Sequence, residues 1–499
     1  MKRSAGILMS VSSLPSENGI GCFDIAAYDF VDFLSKAGQS YWQILPLGPT
    51  GYGDSPYQSF SSYAGNPYYI SLDDLKKKGL LSEADIANCQ LEGDGTAVDY
   101  KKQYENRLPL LKKAYSNYAP DEDFISFCRE NPWLRDYSLF MALKDKFGGV
   151  AWTNWENDAK MRLPDALQKY EKELEKETGF YKFLQFCFWE QWNALKKYAN
   201  EKGIKIIGDV PIYVALDSSD VWISPELFQL DENKQPANVA GCPPDSFSPE
   251  GQKWGNPLYD WKKHRETDFR WWAQRLAYAF SLYDVVRIDH FRGFDEYYSI
   301  PYGDETAENG KWEKGPGIEL FKAVEKHIGK REYIAEDLGF LTDSVKMLVY
   351  GSGFPGMKVL EFAFDSRDEN NHNDYLPHNY TENCVAYTGT HDNQTLFSWF
   401  DTITNDERQA AIDYLDSYGI EPGGLSQRFV SALMQSKAKL CIVPFQDWLG
   451  LDDRSRMNTP STLGENWKWR ACKDDINEEL CMQIRKLTEK YGRVDIIDK

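Results

Sequence analysis

The chain has 499 residues, of which 77 are acidic and 57 are basic, so its formal net charge is −20. Such a charge opposes binding to nucleic acid or to anionic lipid, and the sequence contains nothing close to the roughly 18 consecutive apolar residues of a membrane span. The composition therefore predicts no nucleic-acid partner and no membrane partner, and it favours a neutral ligand.

Short apolar runs rich in β-branched residues alternate along the chain with segments of helical periodicity, a pattern typical of parallel α/β folds. The predicted strands are residues 6–9, 41–47, 204–210, 283–289, 333–336, 357–361, 384–388 and 439–443. The predicted helices are residues 25–37, 181–201, 268–282, 318–328, 342–350 and 425–436. Eight strands interleaved with helices predict a (β/α)8 TIM barrel.

The uneven spacing of the strands predicts two insertions into this barrel. Residues at about 50–180 include charged, helix-prone runs such as DALQKYEKELEKET, which indicate a mainly helical subdomain. Residues 213–264 are rich in Pro, Gly, Asn and Trp, which indicates a lid and substrate-binding loops. Only 56 residues (499 − 443) follow the last predicted strand, too few for a C-terminal β-sandwich. We therefore expect a single catalytic barrel domain over 1–499.

The nine cysteines are scattered and odd in number, without a CxxC pair, so neither a disulfide framework nor a zinc cluster is indicated. The first residues, MKRSAGILMSVSSLP, contain too short an apolar run for a signal peptide. Neither HExxH, GxxxxGK[ST] nor a strand-linked GxGxxG is present, so we expect no catalytic metal and no phosphate-binding cofactor site. These features favour a reduced, soluble, cytoplasmic protein.

Three carboxylates lie at the ends of predicted strands: Asp289 in VVRIDHFRG, Glu336 in YIAEDLG and Asp392 in YTGTHDNQT. In a parallel barrel the carboxyl ends of all strands meet at one mouth, so these residues are expected in a single pocket. Three acids in one pocket predict glycosyl chemistry.

The neighbours of the first two acids indicate separate roles. Arg287 and Asp289 are two residues apart on a strand and share a face, and the cation favours an ionised, oriented carboxylate that suits a nucleophile. A structural ion pair is the alternative. Glu336 is expected near other anions and partly desolvated, which raises its pKa and suits a general acid. Its alternative role is a helix N-cap or a salt bridge.

Asp392 follows His391 in the loop after the seventh predicted strand. A carboxylate and an imidazole can bind sugar hydroxyls more tightly as the ring distorts, which stabilises the transition state. The alternative is an N-cap for a helix that starts near Asn393.

Several motifs in order resemble the 4-α-glucanotransferases called amylomaltases or disproportionating enzymes, relatives of the α-amylases. They are SLP (13–15), TGYGDSPYQSFSSYAGNPY (50–68), GDVPIYV (208–214), PPDSFSPEGQKWGNPLY (243–259), the three acid motifs and GENW (464–467). The resemblance extends over essentially the whole chain.

The resemblance implies that Asp289 is the nucleophile, Glu336 the general acid/base and Asp392 the transition-state stabiliser of a retaining double displacement. Donors would be α-1,4-glucans and maltooligosaccharides, acceptors would be glucose or glucans, and no cofactor is needed. The remaining implied positions are the inner substrate shell of Arg287, Asp209 and His391, the donor-side Ser55 and Tyr57, the lid residues Trp254 and Asn256, and a secondary glucan site at Tyr52.

The sequence departs from the resemblance at Ser246, where relatives often carry an aromatic residue such as Tyr. Loss of that ring would affect acceptor selectivity or cyclisation. Two other functions stay open: an α-amylase-type hydrolase that uses the same acids, and a glucan-binding protein without catalysis. A complete set of acids beside an arginine and a histidine disfavours the second, and a lid that excludes water disfavours the first.

Overall fold

The computed structural model describes residues 2–91, 95–244, 248–339, 341–365 and 373–494, and for Tyr52 it describes the backbone alone. Its twelve strands, in chain order, are β1 (Ser4–Leu8), β2 (Tyr41–Gln43), β3 (Lys205–Val210), β4 (Asn238–Cys242), β5 (Gln252–Pro257), β6 (Val285–Ile288), β7 (Glu296–Pro301), β8 (Lys311–Lys314), β9 (Tyr333–Ala335), β10 (Gly356–Val359), β11 (Cys384–Tyr387) and β12 (Leu440–Pro444).

Eight of these strands form a closed parallel barrel in the order β1-β12-β11-β10-β9-β6-β3-β2. They are the eight strands predicted from the sequence, so the TIM-barrel prediction is confirmed. All four residues of β6 and all five of β12 are buried, as expected for strands covered on both faces. β2 ends earlier than predicted, at Gln43, because Pro46 lacks the N–H group that a continuing ladder requires.

The helices lie between these strands, in the insertion that follows β2, and after β12. They are α1 (Ile25–Lys36), α2 (Leu72–Lys77), α3 (Glu83–Ala87), α4 (Tyr100–Lys102), α5 (Leu108–Ser116), α6 (Glu122–Glu130), α7 (Trp133–Lys146), α8 (Asn157–Lys160), α9 (Pro164–Glu173), α10 (Glu175–Glu201), α11 (Ser219–Ile223), α12 (Trp261–Glu266), α13 (Arg270–Leu282), α14 (Ile318–Ile328), α15 (Asp343–Ser352), α16 (Leu396–Thr402), α17 (Asn405–Ser417), α18 (Leu425–Gln435), α19 (Phe445–Leu449) and α20 (Glu478–Lys490). Within the described ranges, none is long and apolar enough to cross a membrane.

The six predicted helices are all present, with ends that differ from the predictions by a few residues. The largest difference is in α10, which begins at Glu175 rather than at residue 181 and runs for 27 residues. It contacts α7 of the insertion on one side and α1 of the barrel shell on the other. One continuous helix therefore connects the helical insertion to the barrel.

A second, four-stranded antiparallel sheet in the order β5-β4-β7-β8 was not predicted. Two of its strands, β4 and β5, lie in the segment 213–264 that the composition indicated as loops. β4 pairs with β5 on one side and on the other with β7, which follows the end of β6, so the sheet joins two segments that are distant in sequence. Val239, Tyr298, Ile300 and Ala307 form its small buried core. The sheet supports the segment that contains Trp254.

Candidate active site

The register of the barrel places Asp209 of β3 directly beside Arg287 of β6. One guanidinium nitrogen of Arg287, Nη1, lies 2.7 Å and 2.6 Å from the two carboxylate oxygens of Asp209 and 3.0 Å from Oδ1 of Asp289. The side chains of Arg287 and Asp209 are only 4% and 0% exposed. Arg287 therefore bridges a buried carboxylate and a carboxylate at the barrel mouth.

Asp289 comes directly after β6, and its backbone N–H donates to the carbonyl of Val210 at 3.0 Å. Its side chain is 27% exposed, which leaves one face of the carboxyl open toward the mouth. Burial raises the pKa of Asp289 well above its ordinary range, and Arg287 opposes that rise. The predicted effect of Arg287, which is to favour the ionised form of Asp289, is present, but desolvation acts against it and is the larger of the two effects.

Glu336 comes directly after β9, the neighbour of β6 in the barrel. Its Oε2 accepts the backbone N–H of His290 at 2.6 Å and its Oε1 accepts that of Leu338 at 3.1 Å. His290 adopts a left-handed conformation with φ of 48°, uncommon for a residue other than glycine. Glu336 does not cap the following helix, since Thr342 caps α15. The N-cap alternative for Glu336 is therefore wrong.

Burial also raises the pKa of Glu336, while Arg287 and the two backbone N–H groups oppose the rise. Glu336 and Asp289 interact, so the two protons are released in steps whose pKa values describe the pair and not either residue alone. Two anions in one desolvated mouth repel each other. The pair therefore retains a proton at a higher pH than two independent carboxyls would.

Asp392 lies in the loop between β11 and α16, and its side chain is 44% exposed. Its Oδ1 accepts a hydrogen bond from Nδ2 of Asn458 at 2.6 Å, and its Oδ2 lies 3.3 Å from Nε2 of His391. Arg456 donates to its backbone carbonyl at 2.6 Å. The helix that follows is capped by Thr395, so the N-cap alternative for Asp392 is wrong.

Tyr57 connects the β2–β3 segment to this mouth. Its hydroxyl donates to Oδ2 of Asp209 at 2.8 Å, and its ring stacks on His391 at a centroid distance of 5.1 Å. Burial lowers the pKa of the His391 imidazole, which keeps the ring neutral at neutral pH. The hydroxyl of Ser55 accepts the N–H of Tyr57 at 3.3 Å, so its contact is local.

Trp254 and Asn256 lie on β5 of the second sheet. The Trp254 ring meets the His290 ring edge-to-face at 4.9 Å, one residue from Asp289. Nδ2 of Asn256 donates to the carbonyl of Val214 at 2.9 Å. The second sheet thus brings Trp254 against the same mouth.

Two predicted positions lie outside the described structure: Ser246, and the side chain of Tyr52. In the described part of the chain, no group of three or more His, Cys, Asp or Glu side chains has a metal-binding arrangement.

Sequence reasoning missed three residues that hold the site together. Asn458 and Arg456 bind Asp392 from the segment after α19, more than 60 residues away. Gln58 donates from Nε2 to Oδ1 of Asn256 at 3.0 Å and so joins the β2–β3 segment to β5. Gln58 lies inside the tyrosine-rich motif (50–68). The motif indicated that this segment matters, but it did not reveal the hydrogen bond of Gln58 to Asn256. Asn458 and Arg456 lie in no motif with a recognisable chemistry.

Comparison with known proteins shows which family the chain resembles over its length. The family model described as 4-alpha-glucanotransferase matches residues 9–474. A 4-alpha-glucanotransferase of Clostridium butyricum is 49% identical over 98% of this chain and 100% of its own length, and one of Streptococcus pneumoniae is 46% identical over 99% and 98%. The solved amylomaltase of Streptococcus agalactiae in complex with acarbose superposes with a TM-score of 0.95 at 42% identity, covering 99% of this chain and all of the other.

Proposed function

The chain belongs to the 4-alpha-glucanotransferase family, and on that basis we propose that Asp289 is its nucleophile, Glu336 its general acid/base and Asp392 its transition-state stabiliser. The enzyme transfers a segment of a 1,4-α-glucan to the 4-hydroxyl of glucose or of another glucan. The assignment of roles rests on one observation: the acids that follow β6, β9 and β11 occupy one barrel mouth and differ in their partners.

In the first half-reaction Asp289 attacks the anomeric carbon of the donor while Glu336 protonates the departing glycosidic oxygen. The bond from the anomeric carbon to that oxygen breaks, and a bond to Oδ of Asp289 forms. The 3.0 Å contact to Arg287 supports Asp289 as the ionised member of the pair, because it compensates the negative charge. Glu336 then holds the retained proton. Retention would require the two carboxyl groups to lie about 5 to 5.5 Å apart around the bound sugar.

In the second half-reaction Glu336 removes the proton from the 4-hydroxyl of the acceptor, whose oxygen attacks the glucosyl–enzyme. The covalent intermediate conserves the energy of the broken linkage, so the transfer needs no cofactor. Asp392 and His391 would bind hydroxyls of the distorting ring, since Asn458 fixes one oxygen of Asp392 and leaves part of the carboxyl exposed.

The remaining substrate contacts are proposed at Arg287, Asp209, Ser55, Tyr57, Trp254 and Asn256, with a secondary glucan site at Tyr52. Trp254 is the group best placed to cover the mouth, through its contact with His290. Covering the intermediate while a sugar is bound would disfavour attack by water. We propose that residues 1–499 act as one catalytic unit with lid segments in 213–264. The scattered cysteines without a CxxC pair favour the cytoplasm as its compartment.

Incubation with maltotriose alone tests this function. Transfer yields longer maltooligosaccharides together with glucose, whereas a hydrolase yields maltose and glucose without longer chains, and a binding protein yields no product. Asp289→Asn is expected to abolish product formation. Appreciable turnover by that variant would overturn the assignment of Asp289 as nucleophile.

The role of Glu336 is tested with a donor whose leaving group needs no proton. Glu336→Gln is expected to react poorly with maltotriose but to form the covalent maltosyl–enzyme from an α-maltosyl fluoride, because fluoride departs without acid assistance. Asp289→Asn is the matched control, since it should fail with both donors. If the Gln variant reacts equally poorly with both, Glu336 serves binding rather than proton transfer.

A further inference from the structure

The loop that contains Asp392, residues 388–395, belongs to no helix or strand, so side chains must hold its backbone in place. Two buried or half-buried acids do so from the C-terminal side. Asp447 of α19 accepts from the Thr388 hydroxyl at 2.5 Å, and Asp453 accepts from the N–H of Thr395 at 2.8 Å. These contacts hold the ends of the loop and leave its middle to be positioned by other groups.

Glu361 lies where the chain leaves β10 and supports the middle of this loop. It is 8% exposed, and its N–H donates to the carbonyl of Thr388 at 3.3 Å. Its Oε2 accepts a hydrogen bond from Nδ2 of Asn393 at 3.1 Å. A Cβ atom on Gly389 would lie 2.7 Å from its Oε1, so the carboxyl packs directly against the loop backbone. The proposed reaction scheme gives this residue no role.

A directional chain of hydrogen bonds leads from Glu361 to Asp392. Oδ1 of Asn393 accepts from the backbone N–H of Thr390 at 3.0 Å and from its hydroxyl at 2.8 Å. That hydroxyl in turn accepts the backbone N–H of Asp392 at 3.2 Å. The amide of Asn393 can serve Thr390 with its oxygen only while its nitrogen faces an acceptor, and Glu361 is that acceptor.

The charge state of Glu361 is compatible with its accepting a hydrogen bond from Asn393. Burial raises its pKa well above the ordinary range of a glutamate, and Asp447 and Asp453 add to the rise, while Asn393 and Arg456 oppose it. A neutral carboxyl still accepts the hydrogen bond from Asn393. It also avoids placing another buried anion beside Asp447. A glutamine has the same shape and an equivalent carbonyl oxygen.

We propose that Glu361 is a positioning residue that acts through Asn393 and Thr390 to hold Asp392 in its place over the barrel mouth. The inference rests on the proposed role of Asp392, which binds the sugar ring most tightly in the transition state. Loss of Glu361 should therefore lower kcat more than it raises KM, because the loop would still bind substrate but in a less productive geometry.

The test compares Glu361→Leu, Glu361→Gln, Asn393→Ala and the double variant Glu361→Leu/Asn393→Ala in maltotriose disproportionation. Glu361→Leu and Asn393→Ala should each lower kcat by about tenfold to a hundredfold, with KM changed by less than about threefold. The double variant should be no slower than the worse single variant, because both remove the same connection. Glu361→Gln should restore kcat to within about threefold of the unmodified enzyme.

Ile484→Ala in α20, a fully buried position on the outer shell, controls for loss of stability without loss of the connection. It should lower the melting temperature and leave kcat unchanged. Additive losses in the double variant, a normal kcat in folded Glu361→Leu, or a Gln variant as slow as Leu would each overturn the proposal. If Glu361→Leu does not fold, Glu361→Met takes its place, because it keeps the length of the side chain and removes the acceptor for Asn393: its kcat should fall like that of Asn393→Ala, and a normal kcat would overturn the proposal.

Asp392→Asn separates this proposal from the one it rests on. If Asp392→Asn retains activity, the role proposed for Asp392 fails. If Asp392→Asn is inactive while folded Glu361→Leu is fully active, only the role of Glu361 fails.

Discussion

Arg287 and Asp209 form an ion pair in which one guanidinium nitrogen lies within 2.7 Å of both carboxylate oxygens, and neither side chain is appreciably exposed. The pair arises from the register of β3 and β6, which places the two residues side by side on the inner face of the barrel. The same nitrogen contacts Asp289. One cation therefore contacts both a buried carboxylate and the carboxylate proposed as the nucleophile.

Arg287→Gln should destabilise the protein because it leaves Asp209 as a buried carboxylate without its cation. Breaking a buried pair in this way costs about 3–5 kcal/mol. Denaturant unfolding at neutral pH measures the loss. The double variant Arg287→Gln/Asp209→Asn should recover part of it, since no uncompensated charge remains. A single variant as stable as the unmodified enzyme would contradict the ion pair.

The same Arg287→Gln variant should shift the pH dependence of kcat/KM upward. Arg287 lowers the pKa of Asp289 and of Glu336, so its removal raises both. The proposed mechanism needs Asp289 ionised and Glu336 protonated, so both the acidic and the alkaline limb of the profile should move to higher pH. The profile is measured with maltotriose at a temperature where the variant is folded. An acidic limb that moves to lower pH would contradict the electrostatic role of Arg287.

Asn458→Ala should lower kcat by about tenfold to a hundredfold, because Asp392 loses the hydrogen bond that orients its carboxylate. Asn477→Ala is a suitable control. Asn477 caps α20 through its side chain, so its loss should reduce stability by about 1 kcal/mol without slowing turnover. Equal kcat values for the two variants would show that Asn458 has no part in positioning Asp392.

Trp254→Ala should increase the share of glucosyl–enzyme that is captured by water. The Trp254 ring covers His290 beside Asp289, and its removal opens the mouth during the lifetime of the intermediate. Reducing-end assays of maltotriose reactions measure hydrolysis against the formation of longer chains. Trp189→Ala, on α10, removes a ring that is 38% exposed and should leave this ratio unchanged. An unchanged ratio in Trp254→Ala would exclude it as the water-excluding group.

Much of the barrel could be predicted because each buried parallel strand is an apolar run between turn residues. Runs such as VVRI and LCIVP are recognisable without knowledge of their partners. The second sheet could not be predicted in the same way. β4 pairs with both β5 and β7, and the segment between β5 and β7 contains α12, α13 and β6. β4 and β5 contain Gly, β5 and β7 contain Pro, and the pairing of β4 with β7 forms only when the chain between them has folded.

For the candidate site, too, some features could be predicted from the sequence and others only from the structure. Asp289, Glu336 and Asp392 could be identified because each follows a strand, and strand ends converge in a barrel. The N-cap alternatives for Glu336 and Asp392 could not be rejected from local sequence. Only the structure assigns these caps to Thr342 and Thr395.

The sequence by itself determined the fold class, the positions of the three acids and the resemblance on which their roles depend, because these follow from local periodicity and motifs. The sequence also indicated the contact of Arg287 with Asp289, whereas tertiary structure alone decided which groups hold the other two acids, namely two backbone N–H groups for Glu336 and Asn458 for Asp392. Tertiary structure also decided the rise in the pKa of Asp289. Desolvation is a property of the assembled pocket, so no pattern along the chain could reveal that burial outweighs the neighbouring cation.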